Sequence, residues 1–389
     1  MLMAKSAVIG AGASDIGRRL NRDPMALTLE SCTRAIEDAG LKREDIDGVA
    51  AYPGNIVAPV GYGGPQISEV QDALRLSLNW SSSGLESTGQ LGPLINAALA
   101  VQSGICNHVL CYCTTWESTA QGLASKSGVK PVGDRATGQF AFMLPFGAHS
   151  PANWTALYAQ HYFDEFGTTR EELAQIALTA RANAGKNPKA VYRDPLTLDG
   201  YLAAKMISTP LSLYDCDVPV DGSIAVIVSR ADAARKRPAL EIESIGCAMR
   251  GRPSWVDFDD LSTMAMRDAG KMLWEKSTLK PSDVDVAELY DGFSIFTLFW
   301  LEALGFCKKG EAGAFIRDGK RIALDGALPL ATGGGQLSAG RLNGYGLLHE
   351  ACIQLWGDGG ERQVKKQPKV GLVASGGGPF AGCLLLQRA

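Results

Sequence analysis

The chain has little charge of either sign to spare. Its 38 Lys and Arg are set against 41 Asp and Glu, a net charge of −3. The basic residues are scattered rather than striped, which gives no electrostatic reason to expect a nucleic-acid partner. No CxxC pair occurs among the nine cysteines, and Cys111 and Cys113 stand closest. An odd count without framework spacing argues against a secreted disulfide scaffold and against structural zinc. The opening MLMAKSAVIGAGAS lacks the apolar core of a signal peptide. The longest apolar-looking run, IFTLFWLEALGF, is broken by Glu302 and is too short to cross a bilayer. These absences lead to an expectation of a cytoplasmic protein in a reducing compartment, with no membrane or nucleic-acid partner.

What is present is a sizeable core. Hydrophobic residues make up 46% of 389 residues, enough for two domains or two halves of one unit. The 45 glycines exceed the usual share of about 7% and cluster at 61–64, 333–335 and 376–378, which reads as tight turns. The pattern predicts strands over 6–12, 107–116, 223–230, 239–246 and 368–378, with strand-then-turn segments at 45–54 and 283–293. Helices are expected over 23–40, 91–104, 170–185 and 261–277, and from 346 onward. This alternation points to an α/β protein with a largely central sheet. Helices and Pro- and Asp-rich loops over 117–220 look like an insertion in that frame. Gly10, Gly12 and Gly17 lack the spacing of a dinucleotide fingerprint and read as strand and turn.

The two halves repeat each other. LKREDIDGVAAY at 41–52 matches LKPSDVDVAELY at 279–290 at one offset, 279 − 41 = 290 − 52 = 238. A second pair fits in order: the helix ending at Gly104 before strand 107–116, and the helix ending at Gly357 before the last predicted strand. Such a duplication predicts a ligand site where the halves meet, at the carboxyl ends of strands. Four turns should converge there: GLESTGQLG at 84–92, YDGF at 290–293, GRLNGYG at 340–346 and ASGGG at 374–378.

With its duplicated halves and mid-chain insertion, the whole chain resembles the thiolase superfamily, and within it the sterol-carrier-protein type. That branch is marked by PLSLYDCDVPVDGSIAVIVS, ELYDGFS and LEALGF. The resemblance implies a five-layer α-β-α-β-α fold, with an N-terminal half over 1–235 and a C-terminal half over 236–389, working as a dimer. Thiolases use a nucleophilic Cys, two His-bearing turns and a second Cys. Here the matching positions are Ser87, the turns Gly340-Arg341-Leu342 and Tyr290-Asp291-Gly292-Phe293, and Ala374. The departures instead resemble thiolase-like aldolases of bacterial steroid side-chain degradation. Those enzymes cleave a β-hydroxyacyl-CoA to a ketone and a shorter acyl-CoA, of the 17-ketosteroid and propionyl-CoA type. They work with a small partner carrying an OB-fold and a zinc ribbon. The resemblance implies no cofactor beyond the CoA of the substrate, and zinc only in the partner.

Two tyrosines are the candidate catalytic groups, Tyr290 and Tyr345. Retro-aldol cleavage takes a proton from a β-hydroxyl and returns one to an enolate, and positioned acids and bases contribute about 10²–10⁴-fold. Tyr345, bracketed by Gly344 and Gly346 at the start of a helix and four residues after Arg341, is the favoured base. Tyr290, beside Asp291, is the favoured acid, and the reverse assignment stays open. The backbone N–H groups of Ser87 and Gly376 are the candidate oxyanion donors. His349 lies one helical turn after Tyr345, either tuning it or buried in the core. Tyr290 also has a plain structural reading as a core aromatic, since Tyr52 holds the same place in the first half. Two other functions remain open: a thiolase-type acyltransferase acting through Ser87, and a non-catalytic acyl-CoA or lipid scaffold.

Overall fold

The computed structural model describes residues 5–53, 60–84, 87–127, 140–233, 236–250, 258–365 and 367–389. Its strands are β1 (Ser6–Ala13), β2 (Gly48–Tyr52), β3 (Trp80–Ser83), β4 (His108–Trp116), β5 (Met206–Ser208), β6 (Leu211–Ser212), β7 (Asp221–Arg230), β8 (Leu240–Met249), β9 (Val286–Leu289), β10 (Val370–Gly377) and β11 (Phe380–Arg388). Nine of them form one hydrogen-bonded sheet in the order β3-β2-β4-β7-β1-β8-β11-β10-β9, while β5 and β6 make a separate ribbon.

The duplication is written into this order. Outward from the centre, one half runs β1-β7-β4-β2 and the other β8-β11-β10-β9. In each half the first three strands are antiparallel neighbours and the last pair is parallel. Among the described residues, the two halves of the sheet join through two residue pairs, Ala7↔Glu241 and Val8↔Leu240. The two sheets expected from the sequence are therefore half-sheets linked at one short seam.

Between them lie the helices Gly92–Gln102 and Tyr345–Trp356. Leu94, Ala98 and Val101 of the first share a buried cluster with Leu348, Ala351 and Leu355 of the second, and with strand residues Val226 and Val373 from opposite halves. Burial on both faces explains why β4, β7 and β10 read as near-continuous apolar runs. On one outer side sits the helix Pro24–Ala39, which starts where the Asp23 carboxylate accepts from Met25 N–H and ends at left-handed Gly40. It packs so closely on β1 that a Cβ at Gly10 or Gly12 would come within 2.6 Å of Ala35 O or 2.4 Å of Ser31 O. On the other outer side, Met264–Glu275 and Ser294–Ala303 cover the second half-sheet, giving five layers.

The mid-chain segment packs on this second side. Leu173 and Ile176, on the helix Arg170–Ala184, and Tyr162, on Pro151–Phe166, share a cluster with Phe299 and Trp300. Ser81–Ser83, for which the sequence predicts no strand, form the edge strand β3 with Trp80, paired parallel to β2. Among the described residues no helix is long and apolar enough to cross a membrane.

Candidate active site

The parallel strands β2, β4, β9 and β10 all end on one cleft of about 630 Å³, inside the range of roughly 300–1,000 Å³ found for small-molecule sites. Tyr52 closes β2, Glu117 follows β4, Tyr290 follows β9, and Gly376 and Gly377 end β10. This is where an open α/β sheet places its ligand. The mid-chain segment adds Pro151, Ala152, Ile207 and Leu213 to the lining, with Phe293 and Phe296 adding aromatic rings. Polar and apolar groups thus share the lining, and the Phe296 ring lies 6.2 Å from that of Tyr290.

The polar cluster is built where three loops interlock. Asp217 N–H donates to Gly292 O at 3.1 Å, and Arg341 N–H donates to Val218 O at 2.8 Å. These backbone bonds fix the 213–221 loop between the Tyr290 turn and the Arg341 turn. The Arg341 guanidinium then reaches across to Asp217 at 3.0 Å and to Glu117 at 2.5 Å. Burial works against its charge, but the two carboxylates outweigh that and hold it protonated. The Asp217 carboxyl is only 7% exposed. Burial pushes it up to about 6, with Arg341 pulling it down and Glu117 pushing it up.

Tyr290 lines the cleft beside this cluster. Burial raises its phenol above the ordinary value of about 10, Asp217 and Tyr62 push in the same direction, and Arg341 opposes them. Its hydroxyl is therefore held as a proton donor. Tyr52 and Tyr62 complete a group of three phenols; they hydrogen-bond to each other, and both are raised, chiefly by burial. Tyr52, whose matching place in the first half favours a core role for Tyr290, is itself a cleft residue. The same offset of 290 − 52 = 238 was the signal that both halves deliver a tyrosine to one site.

Ser87 and Gly376 also line the cleft. Ser87 Oγ donates to Gly89 O at 2.9 Å within its own turn. That turn presses against the end of β10: a Cβ at Gly89 would lie 3.0 Å from Ser375 O, and one at Gly376 would lie 3.4 Å from Gly89 Cα. Among the described residues lining the cleft there is no histidine to activate Ser87. Cys216 lines it too, but its thiol donates to Ser212 O at 3.5 Å, and burial pushes it up to about 12. It is kept as a thiol, the form that does not attack.

Three expected site residues lie elsewhere. Tyr345 is fully buried, and its hydroxyl has no hydrogen-bond partner. It opens its helix, and side chains there point back toward the N-terminus and down onto the packed face. That direction carries the ring under β4, near Cys111, Tyr112 and Cys113, where burial raises its phenol well above the ordinary range. Arg341, expected to lower that phenol, is instead bound to the two cleft carboxylates. Asp291 points away from the neighbouring Tyr290. Its carboxylate accepts from Gln336 N–H at 2.9 and 3.0 Å and holds the 335–339 turn, and burial pushes it up to about 7. His349 lines a second cavity of about 60 Å³ with Glu288, Glu350, Lys189 and Arg362. Burial and the nearby cations lower it to about 4, so it is neutral there. Among the described residues no group of three or more His, Cys, Asp or Glu could hold a metal ion.

This architecture has known counterparts. Residues 231–385 match the family described as thiolase C-terminal domain-like. The chain is 31% identical to a steroid side-chain-cleaving aldolase of Thermomonospora curvata, over 99% of this chain and 98% of that protein. It is 32% identical to the 17-hydroxy-3-oxo-4-pregnene-20-carboxyl-CoA lyase of Mycobacterium tuberculosis, over 92% of this chain and 93% of the other. A solved structure described as an Ltp2-ChsH2(DUF35) aldolase superposes with a TM-score of 0.86 at 30% identity, covering 100% of this chain and 98% of that one. Fold and cleft together define a member of the thiolase superfamily. Within it, the chain belongs to the branch of thiolase-like steroid side-chain-cleaving aldolases.

Proposed function

We propose that this chain catalyses retro-aldol cleavage of a β-hydroxyacyl-CoA, a steroid side-chain thioester, to a 17-ketosteroid-type ketone and a short acyl-CoA such as propionyl-CoA. The observation that carries this reading is the polar cluster in the cleft. Phenols and a guanidinium–carboxylate cluster stand there, suited to moving protons, while Cys216 and Ser87 are engaged with backbone carbonyls. In the reaction the β-hydroxyl gives up its proton and becomes the ketone carbonyl. The Cα–Cβ pair passes into the thioester as an enolate, and a proton then returns to Cα. Tyr290 donates to the developing enolate. The Ser87 turn and the Gly376 end of β10 supply backbone N–H groups aimed at its oxygen, a preorganised arrangement that needs no thiol. The apolar wall from the insertion takes the ring system.

No cofactor is consumed, because CoA arrives as part of the substrate. The chain works as a homodimer and in complex with a small DUF35-type protein whose OB-fold and zinc ribbon help hold the thioester; any zinc belongs to that partner. The likeness to an aldolase solved with a DUF35 component supports the complex. The test is to incubate the full chain, with and without the partner, with a CoA thioester bearing a tertiary β-hydroxyl. Equal amounts of ketone and shortened acyl-CoA are expected without added CoA. Product formation only when free CoA is supplied to a β-ketoacyl thioester means an acyltransferase, and binding without turnover means a scaffold.

A further inference from the structure

With Tyr345 sealed in the core and Tyr290 held as a phenol, the cleft still needs a group to take the β-hydroxyl proton. The geometry points to Asp217 as that base: a cleft-lining carboxylate, oriented by Arg341 and tied through its own backbone to the Tyr290 turn. This inference rests on the retro-aldol reading above. Asp217 is placed by three independent bonds, its N–H to Gly292 O at 3.1 Å, the Val218 O to Arg341 N–H at 2.8 Å, and its Oδ1 to Arg341 Nη1 at 3.0 Å. Asp217 acts on Tyr290 and Tyr62 as well as binding Arg341, whose guanidinium also holds Glu117.

The groups around Asp217 set its titration. Arg341 favours its ionised form. Glu117 opposes it, and Tyr62, Tyr290, Cys216 and Asp291 also face it. The balance, with burial the largest cause, puts it at about 6, ionised at neutral pH yet basic enough to accept a proton. The step balances without a co-reactant. Asp217 takes the hydroxyl proton as the Cα–Cβ bond breaks and its electron pair becomes the enolate. Tyr290 then gives its proton to Cα. The proton on Asp217 passes to the Tyr290 phenolate, which restores both groups.

The experiment is the pH profile of kcat for the full chain, with its partner if activity needs one, for wild type, Asp217→Asn and Asp217→Glu. Wild-type kcat should fall on the acid side of about pH 6. Asp217→Asn should lose about 10²–10⁴-fold in kcat with KM changed little, and should lose that acid limb. Asp217→Glu should keep part of the rate and move the limb. An Asn variant that keeps both rate and limb overturns the inference. If the Asn variant does not fold, a Glu variant whose limb stays where the wild type has it overturns it equally. A wild type that cleaves no β-hydroxyacyl-CoA refutes the retro-aldol reading itself and the inference with it; cleavage by wild type with an unchanged Asn profile refutes the inference alone.

Discussion

The substitution Tyr345→Phe separates what the glycine-flanked sequence around Tyr345 implies from what the fold does with it. The hydroxyl is fully buried and unpartnered, among Cys111, Cys113 and Tyr112. Burying an unpaired hydroxyl costs about 1–3 kcal/mol in proteins, and removing it without replacing its shape recovers most of that. The small void left behind subtracts from the gain. A net stabilisation of about 1–2 kcal/mol is expected, a rise in Tm of roughly 1–2 °C for a chain of this size. Because the ring does not line the cleft, kcat/KM should stay within about threefold of wild type, under 1 kcal/mol. Thermal melting and steady-state cleavage on the same preparation test both parts. A loss of more than about 100-fold in kcat with an unchanged Tm would show that the hydroxyl reaches the reacting atoms, and the placement of Tyr345 in the core would be refuted.

Tyr290→Phe should fold normally and lose about 10²–10⁴-fold in kcat with little change in KM, read from initial rates; a rate near wild type removes Tyr290 from the mechanism. Arg341→Ala leaves Asp217 and Glu117 facing each other with side chains only 7% and 12% exposed. It should destabilise by about 3–5 kcal/mol near pH 8 in denaturant titrations. The loss should shrink toward pH 5, because Asp217, pushed up by burial even with Arg341 pulling it down, rises further once the guanidinium is gone, takes up a proton and removes one of the uncompensated charges.

Much of the frame was legible because burial on both faces leaves a direct mark. Segments such as SIAVIVSR and NHVLCYCTTW could only be covered strands. The offset of 238 between Tyr52 and Tyr290 anticipated that the halves would repeat, and the strand orders do. The edge strand Trp80–Ser83 was missed because three serines on a half-exposed edge carry no apolar signal. Tyr345 was misplaced for a different reason. Flanking glycines report backbone freedom, but the direction of a side chain at a helix start is set by what the helix packs on. Asp217 was invisible for want of any local pattern: its position depends on three loops, near 217, 292 and 341, meeting in space. Asp291, adjacent to Tyr290, was drawn into the site by proximity in sequence, although neighbours on an extended segment face opposite ways.

The central claim is that this cleft breaks a carbon–carbon bond by proton transfer alone. The most direct measurement is cleavage of a tertiary β-hydroxyacyl-CoA in D2O, with both products followed by mass spectrometry and no free CoA present. The account predicts ketone and acyl-CoA in equal amounts, with one deuterium at Cα of the acyl-CoA. An acyl group found on Ser87 or Cys216, or a product that forms only when free CoA is added, would contradict it.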